Sequence, residues 1–340
     1  MRVLVVGQGL AGTLASHAAL NRGWDVHVID AGFPSASSVA AGMYNPMSFR
    51  RIVEVWEAEV HLRTMKATYR SLEKLLGVQL LHDLPILKTL PNAEYANLWQ
   101  ERSQALDWIE GEDVRWPKQG TVHGGGWLNM PVLLHHWRQS LVTAGRFEQR
   151  AMSDADVEQH ESGVWDAIID CRGMSLKDDA RFNALDIRAN RGELLTIAVS
   201  ETKVCPPRDA ILNFGKWTIP ISDGLWRLGA SYEWNRLDLE QTPETRDVLI
   251  DKLKDIIGST AGLSVMSHQV GLRPVARDRR PVVGAYPGKH RWFVFNGLGT
   301  RGVLIAPRWA ELLVSIIDGQ SHHSPETQPE RLLLLSLIHI

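Results

Sequence analysis

The chain has 340 residues, 44% hydrophobic and 22% charged, with a formal net charge of -2, so it is long enough for one large or two joined domains and lacks the basic surplus of a nucleic-acid binder. Its two cysteines, Cys171 and Cys205, form no CxxC pair, which argues against a zinc ribbon or a disulfide framework and favours a reducing, cytoplasmic setting. No apolar run reaches the length of a membrane span, and the first residues do not read as a signal peptide.

Val3–Val6 is an unbroken apolar run, the pattern of a parallel strand covered on both faces. Gly7-Gln8-Gly9-Leu10-Ala11-Gly12 follows at once, then a helix over Thr13–Arg22 that stops at Gly23. A second strand, Asp25–Ile29, ends in Asp30 and Ala31. Strand, glycine turn, helix and strand within about thirty residues predict a dinucleotide site. Gly7 permits the turn, Gly9 lets the backbone approach a pyrophosphate, and Gly12 lets the helix lie close to the sheet. Leu10 and Ala11 offer the first helical amides to the phosphates, and Asp30 stands where a ribose diol would be bound. The bland alternative is a tight turn in some other α/β protein.

Next comes a loop of small residues, Ser37, Ser38, Val39, Ala40, Ala41 and Gly42, running into Met43, Tyr44, Asn45 and Pro46. Small side chains there let backbone amides run along a bound cofactor. An amphipathic helix is expected over Val53–Leu76, then a stretch punctuated by Pro85, Pro91 and Pro117, then a helix near Met130–Ala144. Trp165–Asp170 reads as a strand ending in Cys171-Arg172-Gly173. Short alternating runs at Leu194–Val199, Lys216–Ile221 and Leu225–Ala230, with a helix over Thr245–Ile257, predict an antiparallel sheet with helices on one face. Gly271-Leu272-Arg273-Pro274 follows. Last comes a second glycine-rich turn (Gly297, Gly299, Thr300, Arg301, Gly302, Val303) that opens a helix around Pro307–Ile317. That second turn suits the flavin end of FAD, and an NAD enzyme has no evident need of it.

The expected fold is α/β, a Rossmann-type FAD-binding domain with an antiparallel-sheet α+β substrate domain. Residues 1–76, 124–189 and 269–325 are assigned to the first, and 77–123 and 190–268 to the second. Residues 326–340 are left as a tail without assigned function.

The ordered set of motifs resembles the D-amino-acid-oxidase-like superfamily of FAD-dependent oxidoreductases, of the glycine and sarcosine oxidase type. The resemblance rests on the Gly7–Gly12 turn with Asp30, the Ala40–Met43 loop and the strand ending at Cys171-Arg172-Gly173. It also rests on Arg191-Gly192-Glu193-Leu194, on Gly271–Pro274 and on the Gly297–Gly302 turn. It implies FAD as cofactor, an amine or amino acid as substrate, and oxygen or another carrier as final acceptor. Hydride would pass to the flavin N5 and the imine would be hydrolysed. Asp30 departs from the usual Glu, and no cysteine stands where sarcosine oxidases attach flavin, which implies non-covalent FAD. Cys171 is expected beside the adenosine half as a packing residue.

By the same resemblance Arg273 holds a substrate carboxylate; the alternative is an arginine capping backbone carbonyls near the flavin. Arg301, Tyr232 and Tyr44 are further candidates at the reacting end, each weighed against a purely structural place. Arg50 and Arg51 are either anion contacts or a solvated pair, and Trp217, Trp226 and Trp234 are candidates for an aromatic pocket. His135 and His136 are adjacent on a helix and point apart, so no metal is expected. Oxidation of a modified tRNA base and an NAD-dependent dehydrogenase are the alternatives.

Overall fold

The computed structural model describes residues 1–337 except 113–117, 181, 183–184, 201–203 and 323. Pro117 and the last three residues of the expected tail lie outside the described residues.

A six-stranded sheet carries the chain's first strand at its centre. Its order is Phe147–Gln149, Asp25–Asp30, Arg2–Val6, Ala167–Asp170, Trp292–Asn296 and Val282–Ala285. All neighbours are parallel except the last pair. Both faces are covered, which is why Val3–Val6 has no polar position. Val3 and Val5 face the helices Leu10–Asn21 and Gly302–Ile317 with Leu14, Leu304 and Trp309, while Leu4 and Val6 meet Ile168, Val294 and Tyr286 on the other side.

An eight-stranded sheet follows the order Leu263–Ala276, Ile187–Val199, Leu225–Gly229, Trp217–Ser222, Ile211–Asn213, Ile86–Thr89, Gln119–Val122 and Ile109–Glu112. It is antiparallel except where Ile211–Asn213 meets Ile86–Thr89. Alternation along these strands separates two faces. Leu195, Ile197, Trp226 and Leu228 bury against Leu249 and Leu253 of the helix Pro243–Ile257, while Leu194, Trp217 and Ile219 face the opposite way. The two longest strands, Ile187–Val199 and Leu263–Ala276, pair along their whole length, through the expected junctions at 189/190 and 268/269.

Four helix starts differ from expectation: the helices expected from Thr13 and Thr245 begin at Leu10 and Pro243, and two others are displaced further. The helix expected from Val53 begins at Ala58, because Val53–Glu54 pairs with Met47–Ser48 and Glu57 is left-handed at φ 51°. The last long helix begins at Gly302 and carries Pro307 inside it. Proline has no N–H to give the carbonyl four residues earlier, and the buried Tyr69 hydroxyl donates to that carbonyl, Val303 O, at 3.1 Å. No helix among the described residues is long and apolar enough to cross a membrane.

Candidate active site

A cavity of about 1020 Å³ runs from the N-terminus of the helix Leu10–Asn21 to the face of the antiparallel sheet opposite the helix Pro243–Ile257. Gly7, Gly9, Leu10, Ala11, Asp30 and Ala31 line one end of it, joined by Cys171 and Gly173. Ser37 and Ala40, Ala41, Gly42 and Met43 line its middle. Gly299, Thr300, Arg301, Gly302 and Val303 reach it from the second glycine turn. Gly12, Ser38 and Gly297 do not line it. A Cβ on Gly12 would lie 1.8 Å from Gly7 O, so this glycine serves helix–strand contact. Ser38 is turned into a capping box with Ser35, and Gly297 adopts φ 69° against Val282.

The Rossmann end is shaped by backbone. Gly7 takes φ 96°, and a Cβ there would meet Cys171 O at 2.8 Å. Gly9 at the N-cap supplies no side-chain cap and the first turn holds no acidic residue, which leaves the positive end of the helix without a neutralising charge. Ser37 Oγ accepts from Leu10 N at 3.0 Å and so ties the small-residue loop to that end. Asp30 accepts from the amides of Gln8 (2.6 Å) and Gly32 (2.8 Å), with Arg138 at 3.4 Å. Sequence reasoning missed Arg138, which arrives from more than a hundred residues away. Asn296, 2% exposed, donates to Gly173 O at 2.9 Å and accepts from Gly297 N at 2.8 Å, fastening the second glycine turn to the segment after the strand Ala167–Asp170. The Cys171 thiol is buried and its pKa is pushed well up by that burial, so it is a packing group.

At the other end the two candidate arginines converge. Arg273 Nη1 donates to Asn190 Oδ1 at 2.9 Å, with Ser231 O at 3.5 Å, and the guanidinium lies 4.8 Å from the centre of the Tyr232 ring. A Cβ on Gly192 would collide with both terminal nitrogens of Arg273, so the missing side chain makes room for the fork. Among the described residues Arg301 reaches only Met47 O, at 3.5 Å. Burial lowers the pKa of both arginines, and the Tyr232 phenol opposes that in each case. Lys216 donates to Ala230 O at 2.9 Å and is lowered by burial, then by the charge of Arg273. The acidic residues of the cavity lining, Asp30 and Asp178, both belong to the Rossmann end.

Tyr232 is half exposed and lines the cavity with Leu237 and Leu239 of the following irregular segment. Tyr44 also lines it, but its hydroxyl donates to Asp83 at 2.7 Å, and burial followed by that bond pushes its pKa up. Its proton is committed away from the cavity. Of the three tryptophans, Trp217 lines the cavity, Trp226 lies on the far face of the sheet, and Trp234 is exposed outside it. The alternation of the strand Leu225–Gly229 sends Trp226 away. Arg50 and Arg51 are exposed and do not line the cavity. Asn190, which holds Arg273, and the lining residues Leu237 and Leu239 had no sequence signal, since only strand register and loop path bring them here.

The family model for FAD dependent oxidoreductases matches residues 2–316. The bifunctional tRNA 5-methylaminomethyl-2-thiouridine biosynthesis protein of Legionella pneumophila is 24% identical over 93% of this chain and 54% of its own length. The chain thus spans about half the length of the curated relatives of that kind. A glycine oxidase of Pseudomonas aeruginosa is 22% identical over 94% of this chain and 95% of that one. Among solved structures, iminodiacetate oxidase from Chelativorans sp. BNC1 superposes with TM-score 0.77 at 17% identity, covering 96% of this chain and all of that one. Glycine oxidase from Geobacillus kaustophilus gives 0.76 at 16%, covering 96% and 98%. They share the fold. The chain belongs to the FAD-dependent oxidoreductase family, and the unneutralised helix N-terminus, the Gly7 turn and the long cavity fit the FAD that this family uses.

Proposed function

We propose that this FAD-dependent oxidoreductase oxidises the carbon–nitrogen bond of a small amino acid or carboxylated amine seated on Arg273. The observation that carries the reading is a mostly buried guanidinium at the cavity wall with no carboxylate partner among the described residues. A buried charge of this kind is costly unless something pairs with it, and a substrate carboxylate matches the fork in bidentate fashion.

When bound, FAD supplies the acceptor for a hydride leaving the carbon that bears nitrogen. Gly9 and Ala11 would hold the pyrophosphate through backbone, Gly7 and Leu10 would shape the turn with their amides given to Ile29 O and Ser37 Oγ, Asp30 would take the ribose, and no covalent link to the protein is required. We assign residues 1–76, 124–189 and 269–325 to the FAD-binding part and 77–123 and 190–268 to the substrate part, with the strands Ile187–Val199 and Leu263–Ala276 crossing two of the junctions. Asn190 Oδ1 and Ser231 O fix one edge of the Arg273 fork, leaving its other donors to position the substrate. Trp217, Leu237 and Leu239 give the cavity apolar walls. The reacting nitrogen must arrive unprotonated, because its lone pair forms the C=N bond as the hydride departs. The imine is then hydrolysed by water to a carbonyl compound and the free amine, and oxygen or another carrier takes the electrons.

The test is an absorbance spectrum before and after denaturation, followed by anaerobic titration with amines and amino acids. Flavin bands that are released on denaturation and bleach with a carboxylated amine support the reading; a colourless protein that cannot be reconstituted with FAD overturns it. A second reading, oxidation of an aminomethyl group on a tRNA base, is supported by the tRNA-modifying relatives and by Arg50 and Arg51, exposed near the turn between Met47–Ser48 and Val53–Glu54. Flavin bleaching by undermodified tRNA but by no free amino acid would favour it.

A further inference from the structure

Charge is distributed unevenly along the cavity. Arg150 and Arg172 line the Rossmann end, and each is neutralised by two carboxylates: Arg150 by Asp156 and Glu148, Arg172 by Asp170 and Asp179. At the reacting end Arg273 and Arg301 line the cavity and have no carboxylate partner among the described residues. One substrate carboxylate neutralises one of these groups. It leaves Arg301 as a mostly buried charge whose only hydrogen-bond acceptor among the described residues is Met47 O, at the 3.5 Å limit of such contacts. The cofactor's pyrophosphate cannot serve, because its seat is at the opposite end, and the oxidised flavin ring is neutral.

We propose that the substrate carries a second anionic group, received by Arg301, so that the enzyme selects dianionic amines such as N-carboxyalkyl or acidic amino acids. This rests on the amine-oxidation reading of the same site. The cavity has room for the larger substrate: beyond Arg273 its lining continues along the sheet face through Ala230 and Trp217 to Gly215 and Asn213. Arg301 and Arg273 approach the substrate from different elements, one from the second glycine turn and one from the strand Leu263–Ala276. Two anionic groups at separate points of one molecule match that arrangement better than a single carboxylate shared between two cations.

The experiment uses the purified flavoprotein and two thioethers that hold sulfur where the oxidisable nitrogen would be: thiodiacetate, a dianion, and (methylthio)acetate, a monoanion. Kd is read from perturbation of the flavin spectrum and from calorimetry. Thiodiacetate should bind about 30-fold more tightly, the scale of one added hydrogen-bonded charge contact. Arg301→Met should reduce that ratio to about threefold or less with the monoanion little changed, Arg301→Lys should keep part of it, and Arg273→Met should weaken both ligands. Retained flavin content and an unchanged melting temperature exclude misfolding as the cause. Equal affinity of the wild-type protein for both thioethers overturns the proposal. So does an unchanged ratio in Arg301→Met together with a lowered flavin midpoint potential, which would give Arg301 to the flavin. If thiodiacetate binds selectively but no amine bleaches the flavin, the oxidation reading fails and the two-anion seat stands.

Discussion

Arg191 and Arg273 stand one register step apart on the paired strands Ile187–Val199 and Leu263–Ala276, yet their surroundings have opposite character. Arg191 is wholly buried and its donors are saturated. It donates to Glu193 Oε1 (2.6 Å), Glu233 Oε2 (2.9 Å), Asp238 O (2.9 Å), Glu240 O and Thr242 Oγ1. Although burial pushes the Glu193 carboxyl up, the Thr242 amide and hydroxyl and the Arg191 guanidinium together hold it below the usual range. Arg273 has one good neutral acceptor and a wall of cavity. A guanidinium that holds structure uses its donors within the protein, whereas one that serves a ligand keeps some in reserve.

The sharpest way to break this comparison is to remove the saturated arginine. Arg191→Met takes the guanidinium from the buried Glu193 carboxylate and leaves it only Thr242 and His268, so stability should fall by about 3–5 kcal/mol. The acceptors Asp238 O and Glu240 O belong to the segment that carries Leu237 and Leu239 to the cavity, so KM should also rise in whatever protein still folds. Urea denaturation checks the first effect and steady-state kinetics the second. A variant as stable as the wild type would end the distinction between the two arginines.

Arg273→Met is the converse. KM for a carboxylated amine should rise about 100-fold, the cost of removing one member of a desolvated charge pair. FAD content should hold, and the melting temperature should stay level or rise, because an under-compensated buried cation is gone. A fall in melting temperature with unchanged KM would make Arg273 a structural residue like Arg191.

Lys88 extends the comparison to a lysine. It is 7% exposed on the strand Ile86–Thr89, its ammonium lies 5.8 and 5.6 Å from the ring centres of Phe49 and Tyr95, and burial lowers its pKa to about 8. The unfolded chain, with an ordinary lysine near 10.4, binds the proton more tightly. Between these two values the unfolded state therefore holds more protons, and stability contributed by this group rises with pH. Relative to Lys88→Met, the wild type should gain about 2–3 kcal/mol between pH 7 and pH 10.5. Paired denaturation curves across that range check it, and parallel pH profiles would refute it.

What could be read from the sequence follows the range over which each feature is encoded. The Gly7–Gly12 turn and Asp30 are contiguous, and the fully covered strand Val3–Val6 announces its layer by lacking any polar position. Arg273 was legible because its Gly-Leu-Arg-Pro setting is a motif. Its orienting partner Asn190 was not, because the contact spans 83 residues and exists only through strand register. The saturation of Arg191 was hidden for the same reason. The early start of the last helix was missed because Pro307 reads locally as a first-turn residue, whereas Tyr69, far away in the chain, repairs the carbonyl that the proline orphans.

The smallest predicted effect tests whether Tyr232 belongs to the reserve of Arg273 or only to the wall. The ring faces the guanidinium at 4.8 Å, while half of the residue remains in water. A cation–π contact at such an exposed site is worth about 0.5–1 kcal/mol. Tyr232→Phe keeps the ring and should change KM by less than about twofold, while Tyr232→Ala removes it and should raise KM by about two- to fivefold. A much larger loss in Tyr232→Phe alone would show that the hydroxyl touches the substrate. In that case the phenol would share the work of anchoring it with Arg273, and the apolar walls of Leu237 and Leu239 would enclose a polar centre made of both.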